Sequence, residues 1–184
     1  TKLEPLADFK LSILSNCTID LILDVLPVAA ARHHLNLTTY SGEFGQIMQD
    51  AINPESNIFK DNPDAILLML DHRWFDRGTF KIDKEAFVNQ AMDKLVMVLD
   101  AIEQSSSGAV QIILQTIAPP AQQFFGSFDR VVGGVTMRDI DALNSAIVAL
   151  SQKRGCLILD VATLGETIGT ARFNDLVSYN LYKL

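Results

Sequence analysis

Ala65-Ile66-Leu67-Leu68-Met69-Leu70 is an apolar run without a single polar interruption. A strand that shows alternation buries one face; a strand apolar at every position buries both, as in a parallel sheet covered by helices. Val110 to Leu114, with Gln111 as its one polar residue, is read as a second buried strand. Working outward, Leu11 to Ser15, Leu37 to Tyr40 and Cys156 to Leu159 read as three further strands. Between the five strands lie segments of helical period. Thr18 to His34 is one, with Ile19, Ile22, Leu23, Leu26, Ala30 and Leu35 on or near one face and Pro27 placed to kink or shorten it. A short helix after Ser41 ends near Asn53-Pro54. Lys84 to Gln104 carries Phe87, Ala91, Leu95, Val98 and Ile102 at spacings of three and four. Thr136 opens a helix with the stripe Ile140, Leu143, Ile147 and Leu150, ended by Gly155. Short helices are expected over Ala162 to Ile168 and Arg172 to Tyr179. Strictly alternating strands and helices with few hairpin signals predict a three-layer α/β/α sandwich on a five-stranded parallel sheet, with the first strand at its centre.

The 184 residues suffice for one substantial core, so residues 1–184 are expected to form a single domain. Hydrophobic residues make up 48% and charged residues 20%, a globular balance. A net charge of −7 repels phosphate backbones and anionic headgroups, which argues against nucleic-acid or membrane partners. Cys17 and Cys156 are too few for a disulfide framework or a cysteine-rich zinc site, and two free thiols fit a cytoplasmic setting. His33-His34 are adjacent, face different ways on a helix and make a poor metal pair; no metal site is expected. The Thr1 start and the apolar-aromatic end at Leu184 read as the edges of a fragment.

Parallel sheets of this kind bind ligands beyond the carboxyl ends of their strands. Those positions hold Ser15-Asn16-Cys17-Thr18-Ile19-Asp20, Gly42-Glu43-Phe44-Gly45-Gln46, Asp71-His72-Arg73-Trp74-Phe75, Gln115-Thr116 and Asp160, with Asn174-Asp175 in the tail. Amides and hydroxyls dominate. Ser15, Asn16, Thr18, Gly45, Gln46 and Asp71 are the expected ligand-binding residues, lining one crevice. Asn16 and Thr18 also have a structural role open to them, capping the following helix. Gly45 is read as permitting close backbone approach, and Gln46 as offering an amide.

The order of strand, small-polar turn, helix and glycine turn resembles the SGNH or GDSL hydrolases. Leu14-Ser15-Asn16-Cys17-Thr18-Ile19-Asp20, the run from Phe44-Gly45-Gln46 through Asn53-Pro54-Glu55-Ser56, and the tail from Phe173-Asn174-Asp175 through Tyr179 to Lys183 resemble the N-terminal domain of FkbH-like proteins. That resemblance implies a flavodoxin-like or SGNH-hydrolase-like fold and a HAD-superfamily domain of the subfamily IIIC type after residue 184. Magnesium is then expected only in that further domain and no cofactor in this one. The implied partners are the HAD-like domain and an acyl carrier protein, in glyceryl or acyl transfer for polyketide or polysaccharide biosynthesis. The HAD acid signature itself is absent: Asp71-His72-Arg73 and Asp160-Val161-Ala162-Thr163 lack the second aspartate. A receiver-type reading lacks its cluster of acids after the first strand.

Laid on the Gly-Asp-Ser pattern, Leu14, Ser15 and Asn16 take the three positions, so Asn16 stands where a nucleophile would. A side-chain amide has no ionisable proton for a base to remove. Asp175 is followed three residues later by Ser178 instead of histidine, and no histidine lies beyond His72. The expectation is a catalytically degenerate domain that binds or docks. The alternative is an active ester hydrolase or acyl transferase with a non-standard set, drawing on Asp71, His72 and Asp175 together with Ser15 or Thr18. Cys17 is a weaker surrogate nucleophile, Trp74-Phe75 reads as packing, and Lys183 as solvated or touching a further domain.

Overall fold

A computed structural model of the chain describes residues 6–75, 84–106, 110–120, 125–132 and 136–173. The strands are β1 (Ala7–Ser15), β2 (Leu35–Ser41), β3 (Ala65–Met69), β4 (Gln111–Gln115) and β5 (Leu157–Leu159); the α-helices are α1 (Asp20–Ala31), α2 (Ile47–Ile52), α3 (Lys84–Ser105), α4 (Thr136–Arg154), α5 (Val161–Ile168) and α6 (Thr170–Phe173). The strands form one five-stranded parallel sheet in the order β2-β1-β3-β4-β5. The three-layer architecture stands, with one correction: β3, not β1, is central. From β1 the chain winds through α1 to β2 at the sheet's edge, then reverses past β1 to β3. Alternation of strands and helices is the same for either order, so it carries no record of that reversal. The switch point lies between β1 and β3.

The described residues divide into two compact units, 6–69 with 98–106 and 110–113, and 70–75 with 84–97, 114–120, 125–132 and 136–173. In the first, β1 runs parallel to both neighbours, with Ile13 opposite Ser41 on β2 and Leu67 on β3, and Ser15 opposite Met69. Side chains alternate across a strand. Ile13 and Leu67 therefore meet Ile19 on one face, with Ile22, Leu23 and Leu26 of α1 and Cys17 packed against them. Ser12 and Leu14, both buried, take the other face. Helix α1 is shorter than its sequence pattern and runs through Pro27, which contributes no N–H to the ladder. It ends in a turn where exposed His34 has a φ of 61° and its carbonyl accepts from the Ala7 N–H at 2.9 Å.

The predicted stripes hold elsewhere: Phe87, Ala91, Leu95, Val98 and Ile102 of α3 are buried, as are Ile140, Leu143 and Ile147 of α4, while Leu150 at the end of its stripe is half-buried. Gly155, with φ 69°, stops α4. The edge strand β5 is short and exposes Leu157 and Leu159. Among the described residues no helix is long and apolar enough to cross a membrane.

Candidate functional site

The carboxyl ends of β1 and β2 are neighbours in the first unit, and the Gly42 N–H donates to the Ile13 carbonyl at 3.0 Å. Both predicted loops, Ser15 to Thr18 and Gly42 to Gln46, thus leave the same rim of the sheet. Ser15 is buried. Its Oγ accepts from the Cys17 N–H at 3.1 Å and lies 3.1 Å from the Cys17 Sγ, whose side chain packs on the Ile13–Ile19–Leu67 cluster. Asn16 and Thr18 are half-buried, and the Thr18 hydroxyl has no hydrogen-bond partner among the described residues. Neither caps α1. The helix begins at Asp20 with Ile19 at the N-cap and no side-chain cap bond. Their polar ends are therefore not committed to the helix start.

The second loop is held from below by residues that the sequence did not single out. Asp50 of α2 is 9% exposed; its Oδ2 accepts from the Glu43 N–H at 2.7 Å and its Oδ1 accepts from the Ser56 hydroxyl at 2.7 Å. Gly42 is the position of close approach: a Cβ there would lie 2.6 Å from Asp50 Oδ2 and 2.7 Å from Leu14 Cδ2. Gly45 has open space around it and a φ of 74°, so its role is the left-handed turn rather than close approach. Gln46 is the N-cap residue of α2 without a side-chain cap bond; Gln46 and Phe44 are both exposed. The rim therefore carries the Asn16 and Thr18 side chains on the first loop and the Phe44 ring and Gln46 amide on the second, which a buried carboxylate anchors.

In the second unit, the residues after β3 form a turn. Asp71 Oδ1 accepts from the Arg73 N–H at 2.8 Å, and Oδ2 pairs with the Arg73 guanidinium. Arg73 thus engages both oxygens, an arrangement that closes the turn. His72 is half-buried beside them. Trp74 and Phe75 make an edge contact with centroids 4.8 Å apart, Phe75 is buried, and the Lys94 ammonium lies 4.0 Å from the Trp74 centroid. This is packing. Asp175, Ser178 and Lys183 lie outside the described residues.

At the ends of β4 and β5, Asp160 caps α5, accepting from the Thr163 hydroxyl at 2.7 Å, the Thr163 N–H at 3.2 Å and the Thr116 hydroxyl at 2.9 Å. These bonds hold its carboxyl below the ordinary value, with the Thr163 hydroxyl contributing most. Thr116 Oγ1 also accepts from the Ala162 N–H at 2.9 Å. Asn144 of α4 clamps Ile117 reciprocally, its Oδ1 taking the N–H at 2.7 Å and its Nδ2 giving to the carbonyl at 2.9 Å. Among the described residues no three His, Cys, Asp or Glu side chains group as a metal site.

The family described as "FkbH, N-terminal domain" matches residues 10–183. Among solved structures, the chain is similar to the N-terminal part of a Bacteroides fragilis protein containing a phosphatase domain complexed with Mg. The TM-score is 0.80 at 14% identity over 97% of this chain and 47% of that one. It is also similar to a putative GDSL-like lipase from Parabacteroides merdae, with TM-score 0.57, 12% identity and coverage of 99% and 95%. An α/β hydrolase from the metagenome of Lake Arreo aligns with TM-score 0.52, 16% identity and coverage of 97% and 92%. Identities this low speak to the fold alone, and the chain spans about half the length of the Bacteroides fragilis structure. No curated protein sequence matches.

Proposed function

The chain belongs to the FkbH N-terminal domain family, and from that premise we propose that it is a catalytically degenerate SGNH-like domain whose work is binding. In this reading it holds a small polar ligand or a docking segment at the rim of β1 and β2. It acts beside a HAD-type domain of the same polypeptide, in glyceryl or acyl transfer involving an acyl carrier protein for polyketide or polysaccharide biosynthesis in the cytoplasm. The phosphatase domain and Mg named for the Bacteroides fragilis structure support this reading, in which any magnesium belongs to the attached domain.

The observation that carries the reading is the end of β1. Asn16 takes the nucleophile position in the alignment on the Gly-Asp-Ser pattern. The adjacent hydroxyl, Ser15, is buried and engaged with Cys17 rather than with a base. An ester hydrolase needs nucleophile, base and oxyanion donors acting as a unit, and restoring one member of such a unit recovers little. The test is hydrolysis of p-nitrophenyl acetate and butyrate by the wild type, Asn16→Ser and His72→Ala. All three are expected to stay near the buffer rate. Robust wild-type turnover abolished by His72→Ala would overturn the proposal in favour of an Asp71–His72 hydrolase.

A further inference from the structure

Helix α1 is apolar on two faces. Of its 12 residues only Asp20 and Asp24 are polar. Ile22, Leu23 and Leu26 turn to the Ile13–Leu67 cluster, while Leu21, Val25 and Val28 on the other side are 60%, 60% and 71% exposed. A helix apolar all round is ordinarily buried all round. The exposed residues continue to Arg32, giving Leu21, Val25, Val28 and Arg32 at spacings of four, three and four. That is the spacing of a seam that packs against another helix.

The charges along the seam identify the occupant. Acids stand at its amino-terminal half, Asp20 and Asp24, and a base follows its carboxyl end, Arg32, all of them exposed. A two-fold axis crossing the helix between Val25 and Val28 exchanges these ends. It would set Val25 of one copy against Val28 of the other, and Arg32 of one beside Leu21 and Asp24 of the other. An isologous contact requires a surface complementary to itself, and this stripe has that property in both apolarity and charge. An acidic partner would meet Asp20 and Asp24 with like charge, and a basic one Arg32. We propose that the outer face of α1 is a homodimer interface in which two copies of this helix pack antiparallel, an inference that goes beyond the ligand-binding reading and does not depend on it.

The seam is short. Twelve residues span about 18 Å, and one such stripe falls well below the ~800 Å² per partner of a standard interface. The dimer is accordingly weak, with a Kd on the order of 0.1 mM. The test is sedimentation equilibrium of the whole chain from about 5 to 500 µM, a range that brackets that Kd. The wild type is expected to shift from monomer to dimer across it. Val25→Asp and Val28→Asp should each raise Kd at least about tenfold, and Arg32→Glu about fivefold, while Asp24→Arg combined with Arg32→Glu should return it near the wild-type value. All four positions are exposed, so the circular dichroism spectrum should not change, and the charge-swap pair reports pairing independently of any loss of fold. A wild type monomeric throughout would overturn the proposal and leave the stripe to another occupant, such as an attached domain or a carrier protein. A dimer indifferent to the two valine substitutions, or an uncorrected charge swap, would overturn it as well.

Discussion

Replacing Asp50 tests whether the second loop of the rim is held by its buried carboxylate. In Asp50→Ala two charge-assisted hydrogen bonds disappear, from the Glu43 N–H and the Ser56 hydroxyl, both 2.7 Å long. Bonds to a charged group contribute about 1.5–3 kcal/mol each. Glu43 is exposed and its N–H can turn to water, whereas Ser56 is 8% exposed and its hydroxyl is left in a dry site. Relief of the carboxylate's own burial offsets part of the loss. The expected net cost is about 2 kcal/mol, or a fall in Tm of roughly 4–8 °C for a chain of this size. Asp50→Asn should cost only about 1 kcal/mol, because its carbonyl can face the Glu43 N–H while the Ser56 hydroxyl rotates to accept from its amide. Gly42→Ala supplies the decisive comparison. Its Cβ would stand 2.6 Å from Asp50 Oδ2 and 2.7 Å from Leu14 Cδ2, an overpacking worth about 1–3 kcal/mol. In an Asp50→Ala background half of that collision is gone, so the double variant should be more stable than the sum of the singles by about 1 kcal/mol. Urea unfolding followed by fluorescence and circular dichroism measures all four proteins. Strict additivity, or an Asp50→Asn as costly as Asp50→Ala, would refute the reasoning.

Two titrations probe the hydrogen bonds more locally. The Asp160 carboxyl is held below its ordinary value by Thr163 and then Thr116. The stability it contributes is therefore present above the unfolded pKa and is lost as pH falls through the lower folded one. Carboxyl-detected NMR should show Thr163→Val raising that pKa by more than Thr116→Val, and equal shifts would contradict the assignment of causes. Tyr40 donates to Asp61 Oδ2 at 2.6 Å, and this bond raises its phenol above 10.0. Its contribution is complete below the unfolded pKa and disappears as pH rises through the folded one. The 295 nm absorbance titration of Asp61→Ala should move one tyrosine back toward 10.0, and an unchanged curve would exclude the bond.

The central strand β3 was legible because burial on both faces writes itself as an unbroken apolar run, and the helices because their buried stripes recur at spacings of three and four. Every residue of the α3 stripe, from Phe87 to Ile102, is buried as its spacing requires. The strand order was not legible, since α1 connects β1 to β2 in the same way whether β1 sits second or third. Within the candidate site, the glycine pair shows where sequence reasoning stops. Gly42 and Gly45 are three residues apart in one turn, and close approach was assigned to the wrong member. Choosing between them requires the position of Asp50, eight residues from Gly42 along the chain and 2.6 Å from the Cβ that Gly42 lacks. Asp50 itself looks like one more acid in a short helix. Its only sequence signal is the pairing with Ser56 six residues later, within the run that carries the family resemblance. Thr116 and Asp160 meet across 44 residues because β4 and β5 are neighbours, a fact no local pattern contains.

The capping residues carry the last step. A Ser, Thr, Asp or Asn before a helix is ordinarily explained by its bond to a free N–H of the first turn. Asn16 and Thr18 stand in that neighbourhood, yet the helix starts later, behind Ile19, and takes no side-chain cap. A chain selected only for stability would place one of these polar residues directly before Asp20. Here Ile19 occupies that position and is drawn into the core with Ile13 and Leu67, which pushes Asn16 and Thr18 back onto the rim beside the loop that Gly42 and Asp50 hold. The position of these two side chains supports the binding role proposed above. If it is right, Thr18→Ala should leave the unfolding free energy in urea within about 0.5 kcal/mol of wild type, unlike a lost cap at about 1 kcal/mol. A larger loss would return Thr18 to the helix and weaken the case for the rim.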